Sequence, residues 1–267
     1  MIGKWGGDEY VGYFDGEVRL QGRDLIWEWE SKHSVRLLHE IIHGAKSLLE
    51  VGYATGEFYR YLRLVNPAIP YTGIDISDTA HQLANQRHPE ADFRLGDCLA
   101  LSDHVEGPYE VLYSRDVVHH TGDPFRALAS MYEIVTRGMA VELRTRDRGE
   151  TVVDLSHSSQ IAHGDNRYHY SLINLDELIQ FFRSHQQTPA RIKVLRQHLP
   201  LAGNNGRFLP PDCADPTTGT AISSILVVKD PDVGAKEPEV EVIDWVEPPR
   251  PLLPRVRRGL KRVLGIR

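Results

Sequence analysis

The sequence predicts an α/β fold, a mostly parallel sheet with helices on both faces. Two observations lead there. Between residues 47 and 230, short apolar runs alternate with stretches whose apolar residues fall at helical spacing, the order expected of strand, crossover helix and next strand. In LLEVGYATGEF (48–58) an apolar run ends in an acid, and Gly52 and Gly56 follow before a helical pattern begins. That is how a strand turns into a helix past a nucleotide-like ligand.

Residues 1–30 are rich in glycine and aromatics, among them Trp5, Tyr10, Tyr13, Phe14, Trp27 and Trp29, and read as an irregular N-terminal extension or lid. SKHSVRLLHEII (31–42) spaces Val35, Leu38, Ile41 and Ile42 as a helix, with Ser31 as its N-cap. SLLEV is a strand, and GEFYRYLRLV is a helix stopped by Pro67. YTGIDI is a strand, and DTAHQLANQRH is a helix capped by Ser77 or Asp78. ADFRLGD and YEVLYSR are strands. DPFRALASMYEIV is a helix with Pro124 near its first position, where the missing N–H costs nothing. GMAVELRT is a strand. Polar residues 145–172 break the rhythm. NLDELIQFFRSH (174–185) resumes as a helix, with Asn174 as N-cap and Glu177 at the capping-box position. ARIKVLRQHL and TAISSILVVKD close the series as strands, so the principal domain spans 31–230. Residues 231–254 hold six prolines and read as a linker with little regular structure.

Composition excludes several classes. Hydrophobic residues make up 41% and charged residues 25%, ordinary values for a soluble domain. No apolar run reaches the roughly 20 residues that span a bilayer, and the N-terminus lacks a signal peptide's apolar segment. Cys98 and Cys213 stand far apart, with neither disulfide nor zinc spacing, and suit a reducing cytoplasm. The net charge of −6 is uneven. Residues 250–267 carry seven basic residues and no acid, leaving 24 basic against 37 acidic residues elsewhere. Such a body repels nucleic acid. The tail RVRRGLKRVLGIR (255–267) reads as a basic amphipathic helix for the inner membrane surface.

The ligand of the first loop follows from its chemistry. A dinucleotide fingerprint needs glycines where Ala54 and Glu57 stand, and Glu50 and Glu57 would oppose a pyrophosphate. A dehydrogenase is therefore disfavoured. S-adenosyl-L-methionine carries a sulfonium and an ammonium, and Glu50-x-Gly52-x-Ala54-x-Gly56 suits a cation. The chain here resembles class I S-adenosylmethionine-dependent methyltransferases over roughly 31–230, in the further segments GIDIS, LGDCLAL, LYSRDVVHHTGDP and YHYSLINLDELIQFF. Ala54 departs from the middle glycine, and Tyr53 stands where a small residue is usual. The resemblance implies a Rossmann-like seven-stranded sheet of order 3-2-1-4-5-7-6. It further implies Gly52, Tyr53, Ala54 and Gly56 around the methionine part of the cofactor and Glu50 ordering that loop or holding the ammonium through water. Asp75, with Ile76 beside it, falls at the ribose, Asp97 and Cys98 at adenine, and Arg115 at the edge of the fourth strand, followed by Asp116.

His119 and His120 are the catalytic candidates, His120 before His119, because a hydroxyl nucleophile gains from a base near neutral pKa. The other role open to the pair is packing. Within 145–172, Tyr168 and Tyr170 are candidates for the acceptor pocket. His157, His163, Asp165 and His169 match no metal spacing, so no metal is expected. The expected reaction is O-methylation of a small-molecule or glycan hydroxyl. The alternatives are N-methylation of a small amine and a non-catalytic cofactor-binding subunit.

Overall fold

The computed structural model describes residues 20–163, 166–201, 206–214, 219–229 and 237–245; the predicted tail 255–267 and most of the predicted linker lie outside them. Two helices, α1 (Gly22–Glu30) and α2 (His33–Ile42), precede the alternating core: β1 (Leu48–Val51), α3 (Glu57–Val65), β2 (Tyr71–Asp75), α4 (Asp78–Arg87), β3 (Asp92–Leu95), β4 (Tyr109–Arg115), α5 (Pro124–Glu133) and β5 (Val135–Arg146). After it come β6 (Ser159–His163), β7 (Asn166–His169), β8 (Ile173–Asn174), α6 (Leu175–Arg183), β9 (Arg191–His198), β10 (Arg207–Phe208), β11 (Ala221–Val228) and β12 (Glu239–Asp244).

The main sheet runs β12-β9-β11-β5-β4-β1-β2-β3, with β8 beside β5. Strands β1 to β5 pair in parallel, and β11 is antiparallel to both neighbours. With β11 as seventh and β9 as sixth strand, this is the expected order 3-2-1-4-5-7-6, extended by β12. The side-chain period of two divides the core. Leu49, Leu112, Val141 and Ile225 face α5 and α6, while Leu48, Val111, Ala140 and Leu226 face α1, α2 and α3. The chain reverses its winding between β1 and β4, so a crevice opens at the carboxyl ends of β1, β2 and β4. Beside it, β6, β7 and β10 form a separate three-stranded sheet.

Four sequence readings change. Residues 22–30 form a helix, and its Leu25 and Trp29 are core residues at 1% and 6% exposure, so this part of the expected lid is a structural layer. Burial of one face against α3 overrides the irregular composition. Ser31 ends α1, donating to the Glu28 carbonyl; α2 begins after Lys32 without a side-chain cap. Residues 239–244 of the expected linker pair in parallel with β9 as β12, because Val240 and Val242 alternate with Glu239 and Glu241 in a strand period the surrounding prolines obscured. The caps at Ser77, Asp123 and Asn174 form, each accepting from the N–H three residues on. Glu177 accepts from Thr151 N–H and does not close a capping box.

Trp29 lies 5.4 Å from Phe58 and 6.0 Å from Tyr61, ring to ring. Truncation there leaves a cavity against α3. Trp29→Ala is expected to lower unfolding free energy by about 3–5 kcal/mol in urea denaturation, whereas the same change at exposed Trp27 costs under about 0.5 kcal/mol. Equal effects would return α1 to the status of a lid.

Candidate active site

The loop after β1 is shaped by steric necessity. Gly52 has φ +84°, and a Cβ there would stand 2.1 Å from Val117 Cγ2. Gly56 has φ +85°, and its Cβ would meet His88 Cδ2 at 2.8 Å. Ala54 between them also sits in the left-handed region, at φ +50°, which costs a residue with Cβ about 1–2 kcal/mol. Its N–H donates to Asp75 Oδ2 at 2.9 Å, which holds it there.

Asp75 closes β2 and also accepts from Ser77 N–H on Oδ1 at 2.9 Å. Burial raises its pKa, against the pull of these N–H donors. Ile76 follows at 58% exposure, an apolar side chain bare at the crevice rim. Asp97 Oδ1 accepts from Leu99 N–H at 2.9 Å. Burial pushes the Cys98 thiol up to about 12, so it stays protonated. The Tyr53 ring turns inward, 4.5 Å from Phe93, with its hydroxyl 2.9 Å from His81 Nδ1. Glu50 is buried and accepts from the Tyr71 hydroxyl. Burial pushes its carboxyl up to about 8, against that hydrogen bond. The fixed anion of the sequence argument is thus held largely as a carboxylic acid near pH 7.

Across the crevice a second network centres on Asp116, at φ +60°. Its carboxylate pairs with Arg144 and lies 3.5 Å from Arg115 Nε. Burial opposes its ionisation, but the two guanidiniums prevail and hold it at about 2. Arg115 also lies 5.1 Å over the Trp29 ring. Arg144 Nε donates to Tyr170 Oη at 3.0 Å, and its Nη1 lies 3.7 Å from Glu142, whose carboxyl burial pushes upward. Arg207 of β10 lies 4.6 Å over the same Tyr170 ring.

The two histidines sit on the turn Val118–His120 after β4, rings 4.1 Å apart. His119 is buried, and its Nδ1 has no hydrogen-bond partner among the described residues. Its Nε2 faces Asp116 at 4.0 Å. Burial, then the neighbouring charges, keeps His119 neutral. His120 Nδ1 lies 2.9 Å from the His169 carbonyl. A carbonyl only accepts, so Nδ1 carries the proton and Nε2 the lone pair. Burial lowers its pKa to about 4, despite that bond and Asp116. Tyr170 packs edge-on to both rings, and Tyr168 on β7 is buried. His157 bonds Asp154, and His169 Nδ1 donates to the Val153 carbonyl. His163 and Asp165 side chains lie outside the described ones.

Sequence reasoning missed Arg144 and Glu142. Their one signal was charge inside VELRTR, otherwise an apolar strand.

The crevice suits S-adenosylmethionine. Its strand ends carry acids (Asp75, Asp97), Ile76 is bare for a flat base, and the N-terminus of α3 offers N–H groups to a carboxylate. Such a fold with such a crevice defines a class I S-adenosylmethionine-dependent methyltransferase. The family model described as "Methyltransferase domain" matches residues 27–187, and the chain belongs to that family.

No curated protein sequence matches the chain. Among solved structures it is similar to an O-methyltransferase from a trans-AT PKS multienzyme of Brevibacillus brevis in complex with S-adenosyl-L-homocysteine (14% identity, 88% of this chain, 83% of that one, TM-score 0.56). It is also similar to a putative sarcosine dimethylglycine methyltransferase from Galdieria sulphuraria (13%, 84%, 99%, 0.56). A third is the N-terminal domain of EvdMO1, crystallised in the presence of SAH and D-fucose (12%, 79%, 85%, 0.51). At these identities they share the fold.

A cation bound beside Glu50 lowers its pKa. S-adenosylhomocysteine, which keeps the ammonium, should therefore release a substantial fraction of a proton at pH 7 and bind more tightly as pH rises toward about 8. Calorimetry in buffers of differing ionisation enthalpy reads this directly, and Glu50→Gln should abolish the release. Release unchanged in that variant would assign the proton elsewhere.

Proposed function

We propose that the protein methylates a hydroxyl oxygen of a small sugar or natural-product acceptor, with His120 as the general base. The observation that carries this reading is the 2.9 Å contact of His120 Nδ1 with the His169 carbonyl, which puts the ring's lone pair on Nε2. We assign the cofactor's ribose to Asp75, its adenine to Ile76, Asp97 and Cys98, and its methionine part to Gly52, Ala54 and Gly56. Glu50 takes the ammonium, and Arg115 borders the methionine end.

The bound cofactor supplies an electrophilic methyl carbon with a neutral thioether as leaving group, so no oxyanion hole is needed. The chain's own work is positioning and exclusion of water. His120 is unprotonated at pH 7 and holds the hydroxyl by its hydrogen. As the oxygen gains the methyl group its proton becomes strongly acidic, so a base with a pKa of about 4 suffices to take it. Asp116 and the His169 carbonyl then favour the imidazolium. The surrounding guanidiniums of Arg115, Arg144 and Arg207 argue against a protonated amine as acceptor. The D-fucose present with the EvdMO1 domain favours a sugar-sized molecule. The basic segment 250–267 we assign to an anionic cytoplasmic membrane surface, each cation contributing about 1 kcal/mol.

His120→Gln is expected to lower kcat about 10²- to 10³-fold in transfer of labelled methyl to a panel of sugars and phenols, with cofactor affinity unchanged. In the wild type, kcat/KM should hold down to about pH 5 and fall as the ring protonates near 4; an acid limb near the ordinary histidine value would exclude His120 as the base. The full chain should float with phosphatidylglycerol vesicles, and a chain ending at 249 should not. Equal flotation would refute the surface assignment.

A further inference from the structure

Arg144, Arg146 and Arg196, the buried arginines at the carboxyl ends of β5 and β9, each have a carboxylate. Arg144 pairs with Asp116, Arg146 with Asp212, and Arg196 with Asp147 and Asp244. Arg207 reaches the Gln160 side-chain oxygen at 3.4 Å and, among the described residues, no acid. It is half-buried, and it is fixed in place by its antiparallel pairing with Gln160 and by the Tyr170 ring beneath it. A partly desolvated guanidinium without an anion is unfavourable in the empty protein. In a chain with this excess of acids, such a position also runs against the general charge balance.

Its surroundings explain what would complete it. Tyr170 lies under Arg207 and against the His120 ring, at 4.6 Å and 5.8 Å. Those distances cap the separation of the guanidinium from the His120 ring at about 10 Å. Asp116, the acid that faces the histidine turn, is already spent on Arg144 and Arg115. A guanidinium held over a ring keeps its planar N–H fork for a carboxylate or phosphate, whose geometry that fork matches.

We propose that Arg207 binds an anionic group, carboxylate or phosphate, on the methyl acceptor, making the acceptor an acid such as a sugar acid or sugar phosphate. The inference rests on the reading above, in which the acceptor lies at His120. A hexose-sized acid, with a hydrogen bond of about 3 Å at each end, has the length to reach from Arg207 to the His120 ring. The acidic half of the crevice then takes the cationic donor, and the basic half takes the anionic acceptor.

The test measures binding by ligand-observed NMR titration with S-adenosylhomocysteine saturating. The probes are D-glucuronate and D-glucose 6-phosphate against D-glucose, and 4-hydroxybenzoate against 4-hydroxybenzyl alcohol. At least one acid should bind at least tenfold more tightly than its neutral partner. That preference should fall below twofold in Arg207→Gln and be partly kept in Arg207→Lys, with S-adenosylhomocysteine affinity equal in all three proteins. Absence of binding by every acid, a preference that survives Arg207→Gln, or a matching loss of S-adenosylhomocysteine affinity would overturn it. Methyl transfer to the same probes is followed separately. An Arg207-dependent acid preference without methylated product would sink the O-methylation reading and leave the anion subsite standing. Methylated product from the neutral partners only would do the reverse.

Discussion

The crevice depends on one hydrogen bond, from the Ala54 N–H to the Asp75 carboxylate. It joins the loop after β1 to the end of β2 across the point where the sheet reverses its winding. Without it Ala54 has no reason to stay in the left-handed region. The same carboxylate accepts from Ser77 and so also fixes the start of α4. One buried side chain thereby sets the loop, the strand end and the next helix at once. Its partial desolvation is offset by the N–H groups it collects.

On the other side, the ordering element is the Asp116–Arg144 pair, extended to Tyr170. Tyr170 and Ser171 follow β7, and the Ser171 N–H reaches the His119 carbonyl at 2.6 Å. The small sheet of β6, β7 and β10 is therefore clamped onto the histidine turn. Because the site is desolvated, both rings are neutral, and their tautomers follow from what each nitrogen faces. Charge in this half comes from arginines, not from the histidines.

The parallel core was legible because most of its strands are apolar runs bounded by turn residues, and because the first loop's glycines and acids are contiguous in sequence. The histidine pair was visible for the same reason. Arg144 and Glu142 were not, since nothing local tells a charge on a buried strand from one at an exposed end. Their partners Asp116 and Ser34 are 28 and 108 residues away. The direction of the Tyr53 ring was not legible, because a position in the loop fixes the backbone and leaves the ring free to join Phe93. Helix α1 escaped notice because its stability comes from tertiary burial of Leu25 and Trp29, and Ser31 then looked like a beginning when it is an end.

β12 decides how the sheet meets the outside. Without it the sheet would terminate in β9, an eight-residue strand with open amides on a long border. β12 covers that border in parallel and is tied down by Arg196 and His198 gripping Asp244. The new border is shorter and studded with Glu239, Glu241 and Asp244, which makes it a poor template for a strand from another molecule. The segment that reads as a spacer thus serves as a seal, protecting the protein from edge-to-edge association.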